Sequence, residues 1–390
     1  MEKENSSPWQ QLDYTLLFII FLFLCVSMIS IYVAPHGGSS FAIRQFFYYL
    51  VGGVAIAAIM LIDFDRFRHI AWYLYGIGIL LLVPLTLVGL QGPPDCNPCG
   101  FIVTNNGATS WYNIPGAGTI QPSEFMKIFL ILALSHVISR HYEIYPHKTL
   151  QDDLRLLGKI IIVSIIPMGM VAVQPDLGTA MILAFIMLSM LLISGIRWRI
   201  IVAVVLLGIL FIGFNILLFI FFPEHALLQG YQMDRINAWL HPAQNASDDA
   251  YQLMKSLGAV GSGELYGTGI GNQNLILPED YTDFIFSVIA KDFGFLGASI
   301  VISLYFLLIY RIIHSALEIH DRFGSYLCAG VIGMFTFQVF QNIGMTIQVM
   351  PITGIPLPFI SYGGSSLLTS MIAVGIVLNV RSRKRTYMFD

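Results

Sequence analysis

"IIVAVVLLGILFIGFNILLFIFF", residues 200–222, runs for 23 residues without a charged side chain. As an α-helix it is about 35 Å long, enough to cross the hydrocarbon of a bilayer. In that medium every backbone N–H and C=O must be satisfied within the segment itself, which a helix does. The stretch is therefore read as a transmembrane helix. The rest of the chain fits the same reading, with 56% hydrophobic and 11% charged residues and a mean hydropathy of +0.74. A soluble domain carries about a quarter charged residues.

Ten apolar runs of this kind are found, near 14–34, 46–62, 70–90, 121–139, 156–173, 179–195, 200–222, 284–310, 325–349 and 364–380. The expected fold is all-α, a polytopic membrane protein with ten transmembrane helices. The whole chain, 1–390, is expected to form a single membrane domain. The first run is too long for the apolar core of a signal peptide and is read as an uncleaved helix. Of the 20 Lys and Arg, Arg44, Arg235 and Lys255 fall in the loops on one side, and Lys127 and Lys291 in or beside helices. The remainder, among them Arg66, Arg68, Arg140, Lys159, Arg311 and Arg381, fall on the other side. By the positive-inside rule both termini are then cytoplasmic.

Two loops on the outer side are long, about 91–120 and 223–282, the second joining the seventh and eighth spans. The first contains "PPDCNPCG", whose Cys96 and Cys99 are either a disulfide or a free pair. A zinc site would need two further ligands. The second contains a glycine run from 258 to 271 that lacks the strand-to-helix setting of a phosphate loop and suits close backbone approach or a hinge. Eight acidic and two basic residues lie between 223 and 283.

Asp283, in "LILPEDYTDFIFSVIA" (275–290), differs from the other acids because a fully apolar helix follows it. It is either a helix-dipole partner or a poorly hydrated carboxylate with a raised pKa, able to take a proton from a hydroxyl. Ionisable groups at membrane depth are functional candidates. Glu124 and Lys127 lie three apart on one helix face, as an internal ion pair that offsets its own desolvation or as site residues; Asp176 caps a helix or faces a site. Trp111 is an interface aromatic or a site residue, and Arg235 a solvated cation or a pyrophosphate ligand. In "QNIGMTIQVMPITGIPLPFISYGGSS" (341–366), Pro351, Pro356 and Pro358 with Gly354, Gly363 and Gly364 break any helix. Broken backbone at membrane depth is tolerated where it is buried or lines a cavity, and Ser361, Tyr362, Ser365 and Ser366 would line it. Four segments, 111–127, 174–179, 235–291 and 351–366, are thus expected to converge on one pocket.

In this order on ten spans, "QPSEFMK", "QPDLGT", "LPEDYTDFIF" and "PITGIPLPFISYGGSS" resemble the SEDS family of bacterial cell-wall proteins, from about residue 14 to 380. "QPDLGT" and "PITG" resemble the RodA branch more than the FtsW branch, where a Lys usually stands at the position of Thr353. The resemblance implies a peptidoglycan glycosyltransferase that polymerises lipid II at the outer face of the bacterial cytoplasmic membrane, in cell elongation. It implies as partners a single-span class B penicillin-binding protein and other elongation proteins; no nucleic acid is expected. It places the essential aspartate on Asp283, the loop tryptophan on Trp111, and the membrane pair on Glu124 and Lys127. After "TDFIFSVIA" the family usually has two acids, where this chain has Lys291 and Asp292.

Joining an α-linked sugar pyrophosphate into a β-linked glycan requires one inverting displacement, with a base at the acceptor hydroxyl. Asp283 is the expected base. Arg235, Lys127 or a divalent cation (Mg or Mn) would stabilise the leaving pyrophosphate; no organic cofactor is expected. Two other readings use the same residues: a flippase or transporter of lipid-linked precursors, which also employs broken helices, and a non-catalytic scaffold of the elongation machinery.

Overall fold

The computed structural model describes residues 12–90, 101–105, 108–114, 118–145, 149–221, 230–242, 248–270, 279–319 and 321–382. Cys96 and Cys99 lie outside them. The helices are α1 (Tyr14–Val33), α2 (Ser39–Leu61), α3 (Phe64–Leu90), α4 (Pro122–Ile144), α5 (Leu150–Val173), α6 (Leu177–Ile193), α7 (Trp198–Phe221), α8 (Gly230–Leu240), α9 (Asp248–Ser262), α10 (Ile285–Leu317), α11 (Arg322–Thr346) and α12 (Gly364–Ser382). Among the described residues nine are long and apolar enough to cross a membrane, and α6, with 17 residues, is shorter. These helices correspond one to one with the ten expected runs; α6 sits at the lower end of the spanning range. Most begin earlier than the apolar count suggested, because polar residues such as Arg44 and Gln45 occupy their first two turns.

The packing follows from side-chain character. α4 and α11 are buried nearly all round, whereas α2, α3 and α7 turn residues such as Val54, Leu80 and Leu210 outward. A soluble protein does not expose such a belt; here it faces lipid. Helix ends are capped by side chains that the sequence supplies. Asp13 accepts from the backbone N–H groups of Thr15 and Leu16 at α1, Thr149 and Asp152 form a capping box on α5, and Asp321 caps α11.

The long loops hold structure that the sequence reading did not anticipate. A small antiparallel sheet is formed by β1 (Ile102–Asn105), β2 (Ala108–Ile114) and β3 (Gly118–Ile120), with β2 central. The loop between the seventh and eighth spans contains α8 and α9. Its glycine run does make close backbone contacts. A Cβ on Gly263 would lie 2.0 Å from Ala290 O, and one on Gly267 2.2 Å from Asp292 O. Gly267 and Gly294 both adopt positive φ, which only glycine takes without cost. Thr268 N donates to Lys291 O (2.9 Å) and Phe295 N to Glu264 O (2.9 Å), so the loop completes the backbone hydrogen bonding that the break at Gly294 opens in α10.

At one end of the bundle basic residues tie helices together. Arg68 bonds Glu143 (3.1 Å) and Asp321 (3.3 Å). Asp13 is paired with Arg311 at 2.7 Å and also with Arg381. The start of α1 and the ends of α10 and α12 therefore meet there, opposite the end that carries Asp283.

Candidate active site

Asp283 immediately precedes Phe284, the N-cap of α10. The broken segment 351–363 lies beside it, held by side chains from four helices. Ser27 of α1 donates to Ile360 O (2.8 Å) and Tyr49 of α2 to Phe359 O (2.7 Å). Gln45 donates to Ser361 O (3.1 Å), Tyr305 of α10 to Pro358 O, and Gln341 of α11 to Pro351 O (2.8 Å). Non-helical backbone at this depth needs such partners, since lipid offers none.

The same segment fixes the aspartate. Asn342 Nδ2 donates to Asp283 O (2.8 Å) and to Ile355 O (2.7 Å), so one buried amide bridges the two chains. Ser361 Oγ donates to Thr282 O (2.6 Å) and accepts from Leu357 N (2.8 Å). Tyr362 N donates to Tyr281 O (2.9 Å), and its ring joins those of Phe41, Tyr48 and Tyr281. Gly354, at φ 69, leaves room for the carboxylate: a Cβ there would stand 3.3 Å from Asp283 Oδ2.

The other expected segments arrive by equally short contacts. Asp176 caps α6 through Thr179 N (3.0 Å), and its second oxygen accepts from Gln121 Nε2 (2.8 Å). Gly178 packs on the backbone of Thr353, where a Cβ would come within 2.7 Å of the carbonyl oxygen. Gln121 N donates to Ser365 Oγ (3.2 Å), joining α4 to α12. Trp111 lies half-buried in β2 opposite Val103; its neighbour Ser110 donates to Gln174 O (3.4 Å), beside the Asp176 turn. The four segments converge at one end of the bundle.

Electrostatically the centre is Asp283. Its carboxyl is pushed up to about 7, first by loss of hydration, then by the negative Glu279; Arg235 opposes this and Asp176 adds to it. Asp283 is half-buried, so it keeps some solvent contact. Asp280, three residues earlier, is enclosed differently. It accepts from His36 N and lies 3.1 Å from His36 Nδ1, and burial raises its carboxyl while His36 opposes the rise. That acid anchors the loop to the end of α1.

Not every expected site residue opens toward Asp283. Lys127 donates to Glu124 at 2.7 Å, and the two side chains are 1% and 4% exposed. They form a closed ion pair inside α4. Ser361 spends both its donor and its acceptor on main chain, and Ser365 accepts from Gln121, so these hydroxyls shape the site's walls. Lys291 and Asp292 lie 3.9 Å apart and buried; opposite charges stand together where the resembling family has two acids. Sequence reading missed Asn342, Gln341, Gln45 and Glu279. Two adjacent amides inside an apolar span were the visible signal for the first pair; nothing marked Glu279 apart from its spacing to Asp283. Among the described residues no group of three or more His, Cys, Asp or Glu is placed to hold a metal ion.

Comparison with known proteins places this geometry. A family model covering FtsW, RodA and SpoVE, described as "Cell cycle protein", matches residues 6–386. The probable peptidoglycan glycosyltransferase FtsW of Trichlorobacter lovleyi is 32% identical, over 96% of this chain and 94% of that protein. The peptidoglycan glycosyltransferase RodA of Treponema pallidum is 30% identical, over 95% and 98%. A chain solved in a study of how a peptidoglycan synthase complex coordinates polymerization and crosslinking superposes with a TM-score of 0.76 at 26% identity, covering 96% of this chain and 99% of the other.

Proposed function

This chain belongs to the FtsW/RodA/SpoVE family, and on that premise we propose that it is a multi-pass membrane peptidoglycan glycosyltransferase that extends glycan strands from lipid II. The observation that carries the reading is the convergence of four distant segments on Asp283, a half-hydrated carboxylate fixed by Asn342 and faced by Gly354. A carboxyl near 7 is matched to general-base work at neutral pH, where such help is worth roughly 100- to 10,000-fold.

In the proposed step Asp283 takes the proton from the acceptor sugar's 4-hydroxyl. The oxygen attacks the anomeric carbon of the donor, and the bond to pyrophosphate breaks on the opposite face. The new linkage is β, and the proton ends on Asp283. Arg235, close enough to lower the Asp283 carboxyl's pKa, supplies positive charge for the leaving pyrophosphate. A divalent cation (Mg or Mn) carried with the pyrophosphate would share the leaving-group role with Arg235. Trp111, next to Ser110 on the strand that reaches the Asp176 turn, is the aromatic proposed to contact the substrate. The positive-inside rule, applied to the basic end of the bundle, supports a site at the outer face of the cytoplasmic membrane.

The proposal extends to a role of the RodA type, with a class B penicillin-binding protein as the crosslinking partner. The relatives named FtsW and RodA are similarly distant, at 32% and 30%. The branch therefore rests on Thr353, which is buried against Gly178. The test is purified protein, with and without its transpeptidase, given lipid II. Glycan strands on a gel support polymerisation. Lipid II crossing liposomes with no strands formed would instead establish transport.

A further inference from the structure

A second cavity, of about 400 Å³, lies between α3, α4 and α5 at the end of the bundle opposite Asp283. Two cations line it, Arg140 at the end of α4 and Lys159 near the start of α5. His136 and His141 also face it, and the Nδ1 atom of each is buried without a hydrogen-bond partner. His141 is 3% exposed. Such atoms are seldom left unpaired in a protein interior.

The acids nearby are already engaged. Glu143 is held by Arg68 (3.1 Å), Asp152 by Arg155 (3.3 Å) and Asp153 by Arg197 (3.3 Å). Among the described residues Arg140 and Lys159 make no salt bridge, so the cavity is net positive and holds unused hydrogen-bonding capacity. Its remaining wall is apolar and turned outward: Trp72 is 43% and Ile162 61% exposed, on the surface that faces lipid. Two cations and two imidazoles next to an acyl-compatible wall suit an amphiphile. A soluble anion would leave the apolar wall unused.

We propose that this cavity binds the phosphate of an anionic phospholipid from the inner leaflet, with Arg140 and Lys159 on the headgroup and an acyl chain lying along Trp72 and Ile162. Basic pockets between membrane helices on the cytoplasmic side have this recognition chemistry. The inference uses only the membrane topology and stands apart from the glycan-polymerase reading.

The experiment takes the full chain, purified and stripped of lipid, and titrates it with phosphatidylglycerol, phosphatidylcholine or glycerol 3-phosphate, counting bound molecules by native mass spectrometry. Phosphatidylglycerol is expected to bind at least tenfold more tightly than phosphatidylcholine, and glycerol 3-phosphate not to compete. R140Q/K159Q is expected to lose roughly 10- to 30-fold in affinity, as two headgroup charges imply; R140K/K159R keeps it. A readout independent of those variants is fluorescence quenching by phosphatidylglycerol with brominated tails, expected in the wild type and reduced in W72F. Equal binding of the two phospholipids overturns the proposal, as does phosphatidylglycerol binding unchanged in R140Q/K159Q. Competition by glycerol 3-phosphate overturns it in favour of a soluble phosphate, and quenching unaltered by W72F places the lipid elsewhere.

Discussion

Replacing Asp283 by Asn should stabilise the protein while removing the group proposed to do the chemistry. The native carboxyl sits at about 7, against an ordinary value of 3.8. At about 1.36 kcal/mol for each pKa unit, this separation caps the cost of keeping Asp283 in place at ~4 kcal/mol above pH 7. Asp283 keeps partial solvent contact, and screening brings the expected figure to about 1–2 kcal/mol. The sign follows from which state binds the proton. Below pH 3.8 the carboxyl is neutral in both states and costs nothing. As pH rises toward 7 the unfolded chain ionises first, and native stability falls; above 7 both states are charged and the difference is constant. Asn has nearly the same shape and leaves the bond from Asn342 to the main-chain carbonyl intact. D283N should therefore match the wild type near pH 4 and exceed it at pH 8, in thermal unfolding of the detergent-solubilised protein. A D283N protein no more stable than wild type at pH 8, or one whose advantage is the same at pH 5 and pH 8, would refute the claim that the site holds a strained, poorly hydrated carboxylate.

Other expectations follow from named contacts. Glu279 raises the Asp283 carboxyl and Arg235 lowers it, so the ionisation limb of the pH–rate profile should move to lower pH in E279Q and to higher pH in R235Q, with R235Q also losing rate. N342A strips the amide from two main-chain carbonyls and should cost about 2–4 kcal/mol, read by thermal unfolding, with polymerisation reduced as the aspartate loosens. K127M leaves Glu124 buried and unpaired, a loss of about 3–5 kcal/mol, whereas E124Q/K127M should recover much of it. A K127M protein of unchanged stability would show that the pair is not closed.

Much of the fold was legible because the bilayer imposes a single rule. Residues 200–222 could only be a spanning helix, and the same holds for most of the other runs. The site was legible where the sequence violated that rule: an aspartate before "FIFSVIA", and three prolines with three glycines between two spans. What stayed hidden depends on partners far apart in sequence. Asn342 lies 59 residues from Asp283, and its role requires knowing that α11 faces the start of α10. The strands β1, β2 and β3 are too short and irregular to mark themselves by alternation. The i,i+3 spacing of Glu124 and Lys127 allows both an internal ion pair and a pyrophosphate ligand, because sequence shows charge; which of the two the Lys127 side chain forms is decided by packing. The glycine run at 258–271 suits close approach or a hinge, and the structure shows the first at Gly263 and Gly267, where backbone meets backbone.

The most direct test of Asp283 as the base is single-turnover polymerisation of lipid II by the purified protein with its transpeptidase, comparing wild type with D283A. The account predicts a fall of at least 100-fold in the D283A rate, with partner binding and folding retained. Strands formed by D283A at the wild-type rate would contradict it.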